Sequence, residues 1–128
     1  HWLQNNGYRT FGMVCPSLPQ DDYDRFARSM DESLRYDRCE HVWGEVINAR
    51  GDSFARTKAS LSKAGYKREA AAFSEVSSNS QAWEIYARAT FAAHAKVCPE
   101  GKLRFLQYVN ASNRSWWHVR QAQGAVLL

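Results

Sequence analysis

Cys39-Glu40-His41-Val42-Trp43-Gly44-Glu45-Val46-Ile47 is the stretch on which the fold turns. Its apolar residues stand at 39, 42, 43, 46 and 47, the spacing of one helix face. Just upstream, Tyr23, Phe26, Ala27, Met30 and Leu34 also recur at three- and four-residue steps. The two stripes are slipped in phase by about one residue. Together they predict a long helix over 20–49, bent or broken near Tyr36 to Arg38. At its start Ser17 and Gln20 fit a capping box and Pro19 suits a first turn. Asp21 and Asp22 favour the positive helix end.

Outward from there, the helical pattern continues. Gly51-Asp52 reads as a turn and a helix start, followed by the stripe Phe54, Thr57, Leu61 and Ala64, with Gly65 as a C-terminal cap. Arg50-Gly51-Asp52 spells an integrin-type tripeptide and equally an ordinary helix–helix turn. A short helix over 67–76 offers Ala70, Phe73 and Val76, and Ser77-Ser78-Asn79-Ser80 is a loop with Ser80 as N-cap. The cleanest periodicity is Trp83, Tyr86, Ala87, Thr90, Phe91, His94, Val97 and Cys98, a helix over 80–98 that Pro99 ends. Two more helices are expected. One over 100–109 carries Leu103, Phe105, Leu106, Tyr108 and Val109, and one over 114–127 carries Trp116, Val119, Ala122, Val126 and Leu127. Residues 1–19, with Gly7, Gly12, Pro16 and Pro19, read as an irregular arm holding one short extended piece, Tyr8 to Val14. The expected architecture is all-α. Residues 20–128 form a single helical domain, an irregular or orthogonal bundle of five to six helices, behind a non-helical N-terminal arm.

The 128 residues suffice for one domain with its own core, and 45% hydrophobic with 23% charged residues argues against disorder. No apolar run approaches the roughly 20 residues that span a bilayer, so no membrane insertion is expected. The opening His1-Trp2-Leu3 and the closing apolar Ala125 to Leu128 suggest residues removed before the first and a chain continuing past the last. The net charge of +4 is unevenly spread. From Gln20 to Arg50 eight acids face five arginines, and from Gly51 onward five acids face eleven basic residues. Internal complementarity explains this, and so does a basic face for an acidic protein or a nucleic acid.

Cys15, Cys39 and Cys98 are odd in number and none is paired in C-x-x-C spacing. That spacing disfavours a redox motif, a zinc ribbon and covalent haem attachment. In an oxidising compartment one disulfide of unknown pairing plus a spare thiol is expected, and in a reducing one three buried small hydrophobes. The adjacent sequons Asn110-Ala111-Ser112 and Asn113-Arg114-Ser115 add to the case for a secreted or periplasmic protein, with a cytoplasmic one left open.

Three constellations could carry chemistry. His41 and Glu45, four apart, would share a helix face beside Cys39 as an acid–base pair, although zinc-like ligand spacing is lacking and no metal is expected. His94 on the apolar face of the cleanest helix reads as a buried neutral histidine or a catalytic group. Cys98 or Cys15 with His94 or His118 would make a thiol–imidazole dyad only if geometry joined them. The most suggestive segment is Arg114-Ser115-Trp116-Trp117-His118-Val119-Arg120. Neighbours on a helix point about 100° apart, so only one tryptophan can face the core. With Trp116 inside, Trp117 stands at the surface among Arg114, His118 and Arg120 as a partner-binding anchor.

Val97-Cys98-Pro99-Glu100-Gly101, followed by Leu103, Leu106, Val109, Asn110 and Trp116-Trp117-His118, resembles the C-terminal part of the Rap/Tai family of periplasmic immunity proteins. These are small helical proteins that protect bacteria against type VI secretion amidases. The chain departs from the family pattern in joining Cys98 directly to Pro99 and in having Ala111 after Asn110. The resemblance covers about the last quarter and implies an exported, disulfide-bearing, non-enzymatic inhibitor. The expected function is therefore protein–protein contact by an exported helical binding protein, an inhibitor or immunity factor needing no cofactor. The alternatives are a basic helical nucleic-acid-binding module and a small enzyme built on His41/Glu45 or His94.

Overall fold

The computed structural model describes residues 1–47 and 52–128. Within them the deciding stretch is a strand. Residues His41–Val46 alternate, with Val42, Gly44 and Val46 buried and His41, Trp43 and Glu45 half-buried. A period of two is the signature of a strand. The helix before it is stopped by Arg35, whose backbone is left-handed at φ 56° and whose N–H donates to the Asp31 carbonyl. The Asp31 carboxylate then takes the Tyr36 N–H at 3.0 Å, turning the chain through one 3-10 turn, Tyr36–Arg38.

Among the described residues four strands result: β1 (Phe11–Ser17), β2 (His41–Val46), β3 (Leu103–Gln107) and β4 (Ala125–Leu127). They form one sheet in the order β1-β2-β3-β4, every pair parallel. Six α-helices accompany them among the described residues: α1 (Trp2–Asn5), α2 (Tyr23–Leu34), α3 (Ser53–Lys63), α4 (Lys67–Val76), α5 (Ser80–Val97) and α6 (Arg114–His118). The chain is thus α/β, and the expected all-α helical bundle is overturned. Three stretches inside its expected helices, 41–46, 103–107 and 125–127, are strands. Each is so short that helix and strand periods both fit its apolar residues, and sheet partners decide the outcome. The expected irregular arm supplies the edge strand β1. The far end of the expected helix over 20–49, and Arg50 and Gly51 of the expected Arg50-Gly51-Asp52 turn, lie outside the described residues.

The helices cover one face of the sheet. One core cluster joins Val46, Leu103, Phe105 and Ala125 of the strands to Tyr86, Ala87 and Phe91 of α5 and Trp117 of α6. The other joins Val14, Val42, Tyr36 and Cys39, with Phe26, Met30 and Leu34 of α2 packed against it. Side chains of this size each stabilise by about 1.5–3 kcal/mol when fully buried. Helix α5 follows its sequence periodicity, burying Tyr86, Ala87, Thr90, Phe91 and His94. Its cap is Asn79, one residue ahead of the expected Ser80, accepting the Ala82 N–H at 2.7 Å. Helix α2 is capped by Asp22, which accepts the Arg25 N–H.

The uneven charge is used internally. Asp21 pairs with Arg68, and Asp24 with Lys96. The disulfide expectation is also corrected, since Cys15, Cys39 and Cys98 are all free thiols. Cys15 Sγ donates to the Trp43 carbonyl on the outer side of β1, while Cys39 Sγ donates to the Leu34 carbonyl in the second core cluster. No helix among the described residues is long and apolar enough to cross a membrane.

Candidate functional site

All four strands run the same way, so their carboxyl ends share one edge of the sheet. Open parallel sheets bind ligands at that edge, where main-chain ends and the loops after them converge. Here the edge carries a cleft of about 300 Å³ at the ends of β2 and β3. Glu45, Val46 and Ile47 line it from β2, Leu106, Gln107 and Tyr108 from β3, and Ser80, Trp83 and Glu84 from the first turns of α5. Helix α5 starts at the cleft, so the positive end of its dipole faces it.

Glu84 is locked in place. Its Oε1 accepts from Arg88 Nε at 2.9 Å and from Trp117 Nε1 at 2.7 Å, and its Oε2 accepts from Asn113 Nδ2 at 2.9 Å. Asn113 is held in turn, because its Oδ1 takes the Asn110 N–H at 2.8 Å. Asn110 closes the turn by accepting from the Ser112 N–H and hydroxyl. Glu84 is therefore an anchor for the cleft wall. Glu45 differs, for among the described residues it makes no hydrogen bond and no ion pair, and it is half-buried. Gln107 is 4% exposed, and its Nε2 donates to the Tyr108 carbonyl while its buried Oε1 has no partner. An unmet buried acceptor costs about 1–3 kcal/mol, so a donor brought to it is favoured.

The residues singled out from sequence are distributed differently. His41 and Glu45 lie on one face of β2, not on a helix. Four residues along a strand separate them by about 13 Å, so they form no pair. His94 is 1% exposed, its Nδ1 lies 3.2 Å from the Tyr36 hydroxyl, and Phe26 meets its ring edge-on. No hydrogen bond joins a cysteine to a histidine among the described residues. Burial pushes the Cys15 and Cys98 thiols up to about 11, with Glu45 adding to the first and Asp31 to the second, so both stay protonated and poor as nucleophiles. No group of three or more His, Cys, Asp or Glu that could hold a metal occurs among the described residues.

In the Arg114–Arg120 segment the tryptophans exchange the expected roles. Trp117 is fully buried, stacked on Phe105 at 6.0 Å and edge-on to Phe91 at 5.4 Å. Trp116 is half-buried, with the Arg120 and Arg88 guanidinium carbons 3.4 Å and 4.5 Å from its ring centroid. Arg114 and His118 are exposed. Trp116 and Arg120 border a second groove, of about 600 Å³, between α5 and the segment after α6. Sequence reasoning missed the edge cleft, because it exists only once 41–46 and 103–107 are strands. The alternation Leu103, Phe105, Gln107 was its one available signal.

Burial also pulls the His94 imidazole down from 6.5 to about 4. Its folded pKa lies below its unfolded one, so between those values the unfolded chain binds more protons. His94 therefore costs nothing above about pH 6.5 and removes stability as pH falls towards 4, by about 3 kcal/mol across the window. Urea titrations of the wild type and of His94→Gln at pH 7, 5.5 and 4 should show their stability difference shifting in favour of the variant on acidification. A difference that stays constant with pH would remove His94 from the account.

Comparison with protein-family models, with curated proteins and with solved structures finds no match.

Proposed function

We propose that the chain is an α/β ligand-binding domain whose carboxyl-edge cleft takes a small polyhydroxylated molecule. The single observation that carries this reading is the buried acceptor Gln107 Oε1 lining a cleft whose rim on β2 carries Glu45, a carboxylate without a hydrogen bond or ion pair among the described residues. Both are acceptors, so the matching ligand offers donors, as hydroxyl groups do. Trp83 and Tyr108 add aromatic surface on which the C–H face of a ring can lie. The size fits a ligand at the lower end of the usual pocket range.

Calorimetric titration with a panel of monosaccharides, disaccharides and linear polyols is the test. Glu45→Gln should weaken any binding by about tenfold or more while leaving the unfolding midpoint nearly unchanged, because a carboxylate is lost without loss of shape. No binding across the panel, or binding indifferent to Glu45→Gln, would sink the proposal.

A second reading keeps protein contact, as expected of an inhibitor or immunity factor. Its support is the larger groove, where Trp116 stands between Arg88 and Arg120. Trp116→Ala should then weaken a co-purified complex that Glu45→Gln leaves intact. The nucleic-acid alternative has less support, since Arg68, Arg88 and Lys96 are engaged with Asp21, Glu84 and Asp24.

A further inference from the structure

Parallel sheets are normally covered on both faces, because βαβ crossovers otherwise leave one apolar side in water. Among the described residues the helices cover only one. The opposite face presents Phe11, Met13 and Cys15 on β1 and His41, Trp43 and Glu45 on β2. Arg104 and Leu106 follow on β3, then Val126 on β4 and Leu128 just beyond it. Register aligns them into rows, Met13–Trp43–Arg104 and Glu45–Leu106–Val126. Phe11 is 55%, Met13 65% and Leu128 52% exposed.

We propose that a second copy of this chain covers this face, the two sheets closing edge to edge into an eight-stranded parallel barrel. Three features point to that occupant. First, the strands follow one another in sequence order with α2, α4, α5 and α6 packed on one side, which is the arrangement of half such a barrel. A two-fold axis along the barrel keeps all eight strands parallel and sets β4 of each copy beside β1 of the other. Second, the residues meeting at those two seams are uncharged: Phe11, Met13 and Cys15 against Val126 and Leu128. The ionisable His41, Glu45 and Arg104 all stand on the two central strands, so a chain of net charge +4 meets its copy without repulsion at the seams. Third, four strands of this length give a footprint of about 19 by 17 Å, roughly 300 Å². A face this small is a narrow base for flat stacking, since a stable interface buries roughly 800 Å² of accessible surface per partner. Barrel closure adds main-chain pairing along both open edges to that base.

Analytical ultracentrifugation of the protein over a wide concentration range tests this. The expected result is a species of twice the 14.7 kDa chain mass. Met13→Lys should raise the dimer dissociation constant at least about tenfold. Because Met13 is exposed in one copy, the circular dichroism should not change. Ile85→Lys, at a 63% exposed position on α5, should leave the dimer intact. Hydrogen exchange should slow at both Phe11–Ser17 and Ala125–Leu127 as the dimer forms. A monomer at every concentration, or a dimer that Ile85→Lys breaks and Met13→Lys does not, would overturn the proposal. A dimer whose two edges exchange as fast as in the monomer would overturn the barrel.

Discussion

Trp117→Ala is expected to cost about 4 kcal/mol of folding stability, read as a lowered urea midpoint. The side chain has no exposed surface, stacks on Phe105 and meets Phe91 and Trp116 edge-on. Truncation leaves a large cavity among β3, α5 and α6, and the helices cannot close it without dragging α6 inward. It also deletes the indole N–H that Glu84 Oε1 accepts at 2.7 Å. The half-buried carboxylate would keep Arg88 and Asn113, so this part of the loss is smaller, about 1 kcal/mol. A domain of this size has about 5–15 kcal/mol in total, so the variant should be marginal at 37 °C. Arg114→Ala, at an exposed position in the same helix, should change stability by less than about 0.5 kcal/mol. A Trp117 variant as stable as that control would mean that the indole is a surface group and that the core around it is misassigned.

The tryptophan pair shows where sequence reading stops. Helical geometry correctly requires one of the two to face inward. Which one is decided by the start of α6 at Arg114 and by Glu84, thirty-three positions earlier, waiting with an acceptor for Trp117 Nε1. Neither is visible in the local pattern. Helix α5 was legible for the opposite reason. Eighteen residues allow the 3.6-residue period to repeat many times, and Pro99 marks the end. Strands β2, β3 and β4 have six, five and three residues, too few for a period of two to be told from a helix face. The Val42-Trp43 and Val46-Ile47 pairs even imitate a helical stripe. Their stability as strands comes from neighbours far along the chain, Leu103 opposite Val42 and Ala125 opposite Phe105.

The candidate site follows the same logic. Glu45 drew attention for its spacing from His41, on the premise of a helix. In the strand that spacing carries the two to opposite ends, and Glu45 instead borders the carboxyl-edge cleft that Gln107 and Trp83 also line. The residue was identifiable as a chemistry-bearing group, but its partners were not, because they belong to β3 and α5. Glu84, the most heavily bonded acid of the region, gave no signal at all. It sits among polar neighbours on the least periodic side of α5, and its role depends on the turn formed by Asn110 and Asn113.

Gly124→Ala should be the other severe substitution, at about 4 kcal/mol or more, and it tests the placement of β4 directly. Gly124 precedes the strand with φ at +105°, a conformation strained for any L side chain. A Cβ there would also stand 2.5 Å from the Leu103 carbonyl oxygen and 2.9 Å from the carbonyl carbon, both main chain of β3. Backbone in a sheet cannot swing aside as a long side chain can, so β4 must lift from β3. Lifting would break the bond from the Phe105 N–H to the Gly124 carbonyl, 2.8 Å long, and expose Ala125. Gly65 separates the two contributions. It too has positive φ, +86°, but no atom lies within 4 Å of its would-be Cβ. Gly65→Ala should thus show only the conformational cost, about 1 kcal/mol. The excess of Gly124→Ala over Gly65→Ala, about 3 kcal/mol, measures the close approach of β4 to β3. Equal losses in the two variants, measured by urea unfolding, would mean that Gly124 does not lie against Leu103 and that the fourth strand is not paired where the structure places it.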